Sequence, residues 1–168
     1  TLRLPGGSSL ELLDLPGSYS LDGQSPDEQI VTDVLENRAD GDQPLRGILI
    51  VADAVHLRRN FNLVAQVLKT GLPAALVVNM VDLAEADGIK VDFRSLSEKL
   101  GIDVYPVCAK RRDGIDDVAA GLSDLQVPNP VGEDQDAWIE ATLEGCLHRP
   151  EGLIESRSDK VDRIVTHP

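Results

Sequence analysis

Three short apolar runs, at residues 47–52, 74–78 and 104–107, constrain the fold of this chain more than any other feature. Each is continuous rather than alternating, as expected of a strand covered on both faces of a sheet. Between them lie stretches with apolar residues at helical spacing. Phe61, Val64, Ala65 and Leu68 share a face within residues 57–70, and Phe93, Leu96 and Leu100 share one in the segment that Asp92 caps. Gly71 and Gly101 stand just past these stretches, where helix C-termini favour glycine. A further helix is predicted over residues 115–125. Strand and helix in alternation imply βαβ units, so the predicted class is α/β, with a mostly parallel sheet flanked by helices.

The two ends follow other patterns. Residues 10–13 predict a short strand leading into Asp14. Ser25-Pro26-Asp27-Glu28 is a helix start: Ser25 caps, Pro26 fits the first helical position and Glu28 completes a capping box. Ile30, Val31, Val34 and Leu35 should then line one face. Val127-Pro128-Asn129-Pro130-Val131-Gly132 breaks the alternation and reads as a linker. Beyond it, Asp134 should cap a helix carrying Trp138, Ile139, Leu143 and Leu147, stopped by Pro150. A last short helix from Ser158 would place Val161, Ile164 and Val165 together. The expected organisation is one α/β domain over 1–127 and a linker with a small helical subdomain over 128–168.

The chemistry sits in three loops, each expected at the carboxyl end of a strand, where open α/β sheets bind their ligands. In Asp14-Leu15-Pro16-Gly17, Asp14 could hold Mg²⁺ through water, and Gly17 lets a backbone N–H approach a terminal phosphate. Asn79-Met80-Val81-Asp82 spaces one side chain to brace the loop and another to face a base. The Asp82 carboxylate would accept from both N1–H and the exocyclic amine of guanine, a pairing adenine cannot make. In Cys108-Ala109-Lys110, the small Ala109 could offer its N–H to the guanine carbonyl oxygen. Taken singly, each loop has a plain alternative: a turn at Asp14, a helix cap at Asp82, a buried small residue at Cys108. Their joint occurrence in the order phosphate, base, base favours a guanine-nucleotide site. No GxxxxGK[ST] accompanies them.

Composition narrows the partners. A net charge of −13 argues against nucleic acid and anionic lipid, and aromatics at 3% provide no stacking platform. Two cysteines make no disulfide framework, and His56, His148 and His167 are scattered, which favours surface or capping roles. No Cys, His or carboxylate cluster has iron-ligand spacing. The opening Thr1-Leu2-Arg3-Leu4 reads as the middle of a strand, suggesting a start inside a longer protein.

On these motifs the chain resembles the cytosolic G domain of the bacterial ferrous iron transporter FeoB, a P-loop-GTPase-like fold. Asp14 to Leu21 with Ser25-Pro26-Asp27-Glu28 is similar to that family's second switch region. Met80 stands where most GTPases carry lysine, as is common in the family. Asp53-Ala54 with Leu57-Arg58-Arg59-Asn60, Gly88-Ile89-Lys90-Val91-Asp92, and the tail from Asp159 to Pro168 also match, the tail resembling the segment ahead of the first membrane helix.

The resemblance implies GTP/GDP and Mg²⁺ as cofactors and slow GTP hydrolysis in the intact protein, since Ser18 follows DxxG where many GTPases place glutamine. It implies the protein's own transmembrane domain as partner, a second copy as a further candidate, and a place on the cytoplasmic face of the bacterial inner membrane. Fe²⁺ would be transported cargo, with no clear site here. The basic residues Arg157, Lys160 and Arg163 near the end fit the positive-inside rule. Two departures stand out: the phosphate loop and first switch are absent, and Cys108 replaces the usual serine. The chain alone is therefore expected to bind nucleotide poorly. Other readings are a ribosome-associated GTPase, which should lack the tail, a nucleotide-free interaction module, and an unrelated α/β enzyme.

Overall fold

The computed structural model describes residues 1–3, 7, 9–17, 20–21, 25–39 and 45–150, with the side chains of 36–39 excepted. A parallel three-stranded sheet carries the fold: β3 (Ile48–Asp53), β4 (Ala74–Asn79) and β6 (Val104–Pro106), in the order β3-β4-β6. It follows a two-residue hairpin of β1 (Leu2–Arg3) with β2 (Ser9–Leu10) and the helix α1 (Pro26–Ala39). Register runs from Ile48↔Ala74 to Asp53↔Asn79, so the carboxyl ends of the two strands finish side by side. The helix α2 (Leu57–Leu68) crosses from β3 to β4, and α4 (Phe93–Leu100) from β4 to β6.

The core explains why these segments fold as they do. Every residue of β4 from Ala74 to Val78 is buried, as a central strand demands. Leu57, Phe61, Val64, Ala65, Val67 and Leu68 bury one face of α2 beneath it. Asp92 caps α4 by accepting from Ser95 N at 3.0 Å, and Gly101 ends the helix at φ 71°. A Cβ at Gly101 would lie 2.7 Å from the Asn129 side chain, so glycine is required there by both conformation and space.

Several expectations need correction. The strand predicted at 10–13 is not part of the sheet. Pairing stops at Leu10, and Leu12 and Leu13 are 54% and 49% exposed. They face the open edge of β3 across a cavity without pairing to it. Ile30 lies outward at 47% exposure, while Val31 and Leu35 are buried. Between Asn79 and Asp92 a short helix, α3 (Val81–Ala86), and a strand, β5 (Lys90–Val91), were not anticipated. The helix α5 (Ile115–Gly121) is shorter than predicted.

The residues beyond 127 form no free linker. Asn129 donates its backbone N–H to Leu100 O at 2.8 Å and its side chain to Lys99 O at 3.0 Å. The helix α6 (Gln135–Leu143) starts at Asp134, whose side chain accepts from Ala137 N, and stacks Trp138 on Phe61 with ring centroids 6.4 Å apart. Ile139, Leu143 and Cys146 join the same core as the sheet. Lys99 Nζ donates to the carbonyls of Ala141, Thr142 and Glu144, closing the end of α6 on α4. Leu147, predicted on that helix, lies instead in β7 (Leu147–His148), paired antiparallel with β5. The turn at Gly145, with φ 73°, breaks the helix first. The helix predicted from Ser158 and the basic tail lie outside the described residues, as does Ser18.

Candidate functional site

Two of the three predicted loops meet at the carboxyl edge of the sheet. Asn79 ends β4, and its side-chain Oδ1 accepts from Ala109 N at 3.1 Å, tying the Asn79–Asp82 loop to the one that follows β6. Its backbone carbonyl accepts from Ala54 N at 2.9 Å, tying the same residue to the loop after β3. Asn79 is thus the hinge pin of three adjacent loops. Val81 N donates to Val107 O at 3.4 Å, a second link between the base-side loops.

Met80 sits at φ 62°, ψ 32°, one of two non-glycine residues in the left-handed region among the described residues. That conformation is costly for a long side chain and persists only where the surroundings impose it. Here it turns the chain sharply from β4 into α3, whose Leu83 N and Ala84 N both donate to Met80 O at 3.1 Å. The turn presents Asp82 at the head of α3. The Cys108 thiol donates to the Asp82 carboxylate, and with the Leu83 amide and nearby Arg111 it holds that carboxyl below the usual range. Asp82 is therefore an acceptor-only carboxylate at neutral pH, the state a guanine edge requires.

The loop after β6 is held from within. Cys108 N donates to Asp113 O at 3.1 Å, Asp113 N donates back to Cys108 O at 3.2 Å, and Arg111 Nε pairs with Asp113 Oδ2 at 2.8 Å. Gly114, at φ 79°, closes the turn. A Cβ there would collide with the Pro106 carbonyl. Ala109 and Lys110 are exposed in the turn while Cys108 is 2% exposed. Cys108 is thus buried beneath the exposed Ala109 and Lys110, next to Asp82.

The Asp14 loop lies elsewhere. Asp14, Leu15, Pro16 and Gly17 line a cavity of about 1230 Å³ together with the outer edge of β3 and the α1 face that includes Val31 and Leu35. Asp14 is exposed and has no hydrogen-bond partner among the described residues. A single free carboxylate suits Mg²⁺, a hard cation that keeps most of its waters and takes few protein oxygens. No group of three or more His, Cys, Asp or Glu poised for a metal occurs among the described residues.

One cluster at this edge was legible only as a motif. Asp53 accepts from Val55 N at 2.7 Å and contacts His56 Nδ1 at 2.8 Å, while Asn60 Oδ1 accepts from Asp53 N and Asn60 Nδ2 donates to His56 O. These bonds shape the β3–α2 loop that Asn79 pins. Arg149 Nη2 donates to Val55 O at 3.1 Å, joining the end of the described chain to the same loop. The sequence marks it through Asp53-Ala54 and Leu57-Arg58-Arg59-Asn60, whereas His56 reads there as a surface or capping residue and Arg149 carries no signal.

A parallel sheet flanked by helices, with the N-x-x-D and Cys-Ala-Lys loops following adjacent strands at its carboxyl edge, has the fold of a G domain of the P-loop-GTPase class. The comparisons with known proteins give the family. Residues 2–122 match the family model for ferrous iron transport protein B, and the chain belongs to that family.

The Fe(2+) transporter FeoB of Synechocystis is 31% identical over 96% of this chain and 28% of its own length. That of Staphylococcus aureus strain COL is 39% identical over 62% of this chain and 15% of its own. Among solved structures, the cytosolic domain of L. pneumophila FeoB superposes with a TM-score of 0.63 at 36% identity, covering 71% of this chain and 46% of that one. The FeoB G-domain from Methanococcus jannaschii gives 0.61 at 35%, covering 66% and 68%. A mutant of S. thermophilus NFeoB bound to GDP gives 0.60 at 31%, covering 72% and 47%. This chain spans little more than a quarter of the Synechocystis transporter. No helix among its described residues is long and apolar enough to cross a membrane.

Proposed function

We propose that this chain supplies the base-recognising half, with part of the second switch, of a GTP-binding and GTP-hydrolysing domain that regulates Fe²⁺ transport through a membrane portion of the same protein. The observation that carries the reading is the pairing of Asn79 Oδ1 with Ala109 N at 3.1 Å, which ties the Asn79–Asp82 loop to the loop after β6. Asp82 would accept from guanine N1–H and its exocyclic amine, while the Ala109 N–H is already donated to Asn79 Oδ1 and braces the loop beside it. Adenine offers that carboxylate no matching pair of donors, and a site built on paired bonds discriminates by ~10⁴ or more.

Asp14 would hold Mg²⁺ through water, and Gly17 would offer its N–H to the terminal phosphate. Mg²⁺ supplies charge neutralisation on the phosphates when bound. The cavity between residues 9–17 and β3 separates this phosphate side from the base side, so nucleotide binding in the intact protein requires further structure there. The domain would lie on the cytoplasmic face of the inner membrane, with the transmembrane portion as its partner, a second copy as a further one, and Fe²⁺ as cargo.

Calorimetric titration of the full-length protein with GDP and with ADP tests this reading. GDP should bind with Mg²⁺ present and ADP should not. Equal binding of the two would remove the base site.

A further inference from the structure

The chain holds three sulfur-bearing side chains, Cys108, Cys146 and Met80. Burial sorts them sharply. Cys108 and Cys146 are 2% and 1% exposed, and burial raises the Cys146 thiol away from its reactive thiolate form. Met80 is 43% exposed. Only the methionine sulfur is therefore open to an oxidant, and its thioether needs no deprotonation to react.

The place of Met80 gives that exposure a consequence. It stands between Asn79, locked on Ala109 N, and Asp82, the carboxylate that would read the base. Its left-handed backbone throws the side chain out of the strand instead of into the core. A base gripped along its edge by Asp82 leaves its flat faces to be covered. Met80 and Leu83, 43% and 52% exposed, are the uncovered large apolar side chains of this loop and helix. A polarizable thioether suits contact with an aromatic ring.

On the reading of Asp82 as the base-recognising group, we infer that Met80 is an oxidisable lid on the nucleotide-base site, and that its sulfoxide weakens guanine-nucleotide binding reversibly. The step is the transfer of one oxygen atom from a peroxide to the Met80 sulfur. The sulfur lone pair attacks a peroxide oxygen, the O–O bond breaks, and the departing oxygen takes up a proton. With hydrogen peroxide the products are the sulfoxide and water; the sulfur loses two electrons and the peroxide gains them. The product is polar, chiral and hydrated, and covering it with a base costs the water it holds. The backbone of Met80, which caps α3 through its carbonyl, is untouched, so the loop keeps its turn while its outer surface changes character.

The test treats the full-length protein and its M80L and M80Q variants with hydrogen peroxide, locates the added oxygen by peptide mass mapping, and titrates each with GDP before and after. The expected result is that Met80 is oxidised, that wild-type affinity for GDP falls about three- to tenfold, and that methionine sulfoxide reductase restores it. M80L should show the same affinity before and after peroxide, whatever its starting value. M80Q, polar and unable to be oxidised, should start weakened and not change. Three outcomes overturn the inference: Met80 stays reduced, its sulfoxide binds GDP as the thioether does, or M80L loses affinity as the wild type does. Failure of untreated wild type to bind GDP would instead remove the base-site reading on which the inference rests.

Discussion

The base side and the phosphate side of the proposed site are built to different standards. Asn79, Asp82 and Ala109 hang from adjacent strands of one parallel sheet, and each is fixed by a hydrogen bond to a residue of another loop. The Asp14–Gly17 segment belongs to no strand of that sheet and faces it across a cavity. The proposed base-side groups are thus held by the sheet itself, whereas the proposed phosphate side offers an exposed carboxylate and a glycine without a frame. Preorganised groups need no ordering when the ligand arrives, so the base side should dominate specificity.

The largest expected effect breaks the frame of the base side. Phe61 is fully buried and stacks on Trp138, joining α2, the sheet and α6. Phe61→Ala should lower stability by about 3–5 kcal/mol. Urea unfolding followed by Trp138 fluorescence measures it, and a loss under about 1 kcal/mol would show that α6 and the sheet do not share one core.

Next in size is the base contact itself. Asp82→Asn places a donor where guanine needs an acceptor, so the full-length protein should lose about 100-fold in GDP affinity, some 2.7 kcal/mol, and gain affinity for xanthine nucleotides. Titration with both nucleotides reads the swap; an unchanged preference for GDP takes Asp82 out of the site.

A smaller effect probes the phosphate side. Ser25 Oγ accepts from Glu28 N at 3.2 Å and Glu28 Oε2 accepts from Ser25 N at 3.3 Å, the capping box of α1. Ser25→Ala should cost about 1 kcal/mol. Because α1 borders the cavity and not the base-side loops, hydrogen exchange should quicken in α1 and leave β4 unchanged. Equal quickening in both would mean that the two sides are more tightly coupled than their contacts suggest.

The smallest effect is a pH response. Burial, with the neighbouring Asp103 carboxylate, pushes the Tyr105 phenol up to about 12 from the ordinary 10.0. A folded value above the unfolded one means the stabilisation is complete below pH 10 and is lost as pH rises toward 12. Ultraviolet titration should show Tyr105 ionising late, and Tyr105→Phe should flatten the alkaline fall in stability. Ionisation at the ordinary value would show the ring to be better solvated than its place on β6 implies.

Much of the sheet was legible because burial on both faces leaves continuous apolar runs, and because caps such as Asp92 and Ser25 act over three residues. The pairing of Asn79 with Ala109 joins positions 30 residues apart, and only strand order sets that distance. The short α3 escaped notice because its start is a left-handed methionine, with none of the usual capping chemistry. The strand expected at 10–13 failed for the opposite reason. Its apolar residues suit a strand, but a strand exists only where it is paired, and residues 11–13 stand off the open edge of β3 across a cavity.

The sequence by itself determined the local elements, the alternation that makes the sheet parallel, and the residue types capable of reading a guanine edge, since these follow from periodicity and side-chain chemistry within a few positions. Tertiary structure alone decided that Cys108 lies next to Asp82, that α6 and β7 return to the same core as the sheet, and that the Asp14 loop stands apart from the other two. Each of these is a contact between segments distant in the chain. Their formation depends on which apolar faces and unpaired backbone groups find partners in three dimensions.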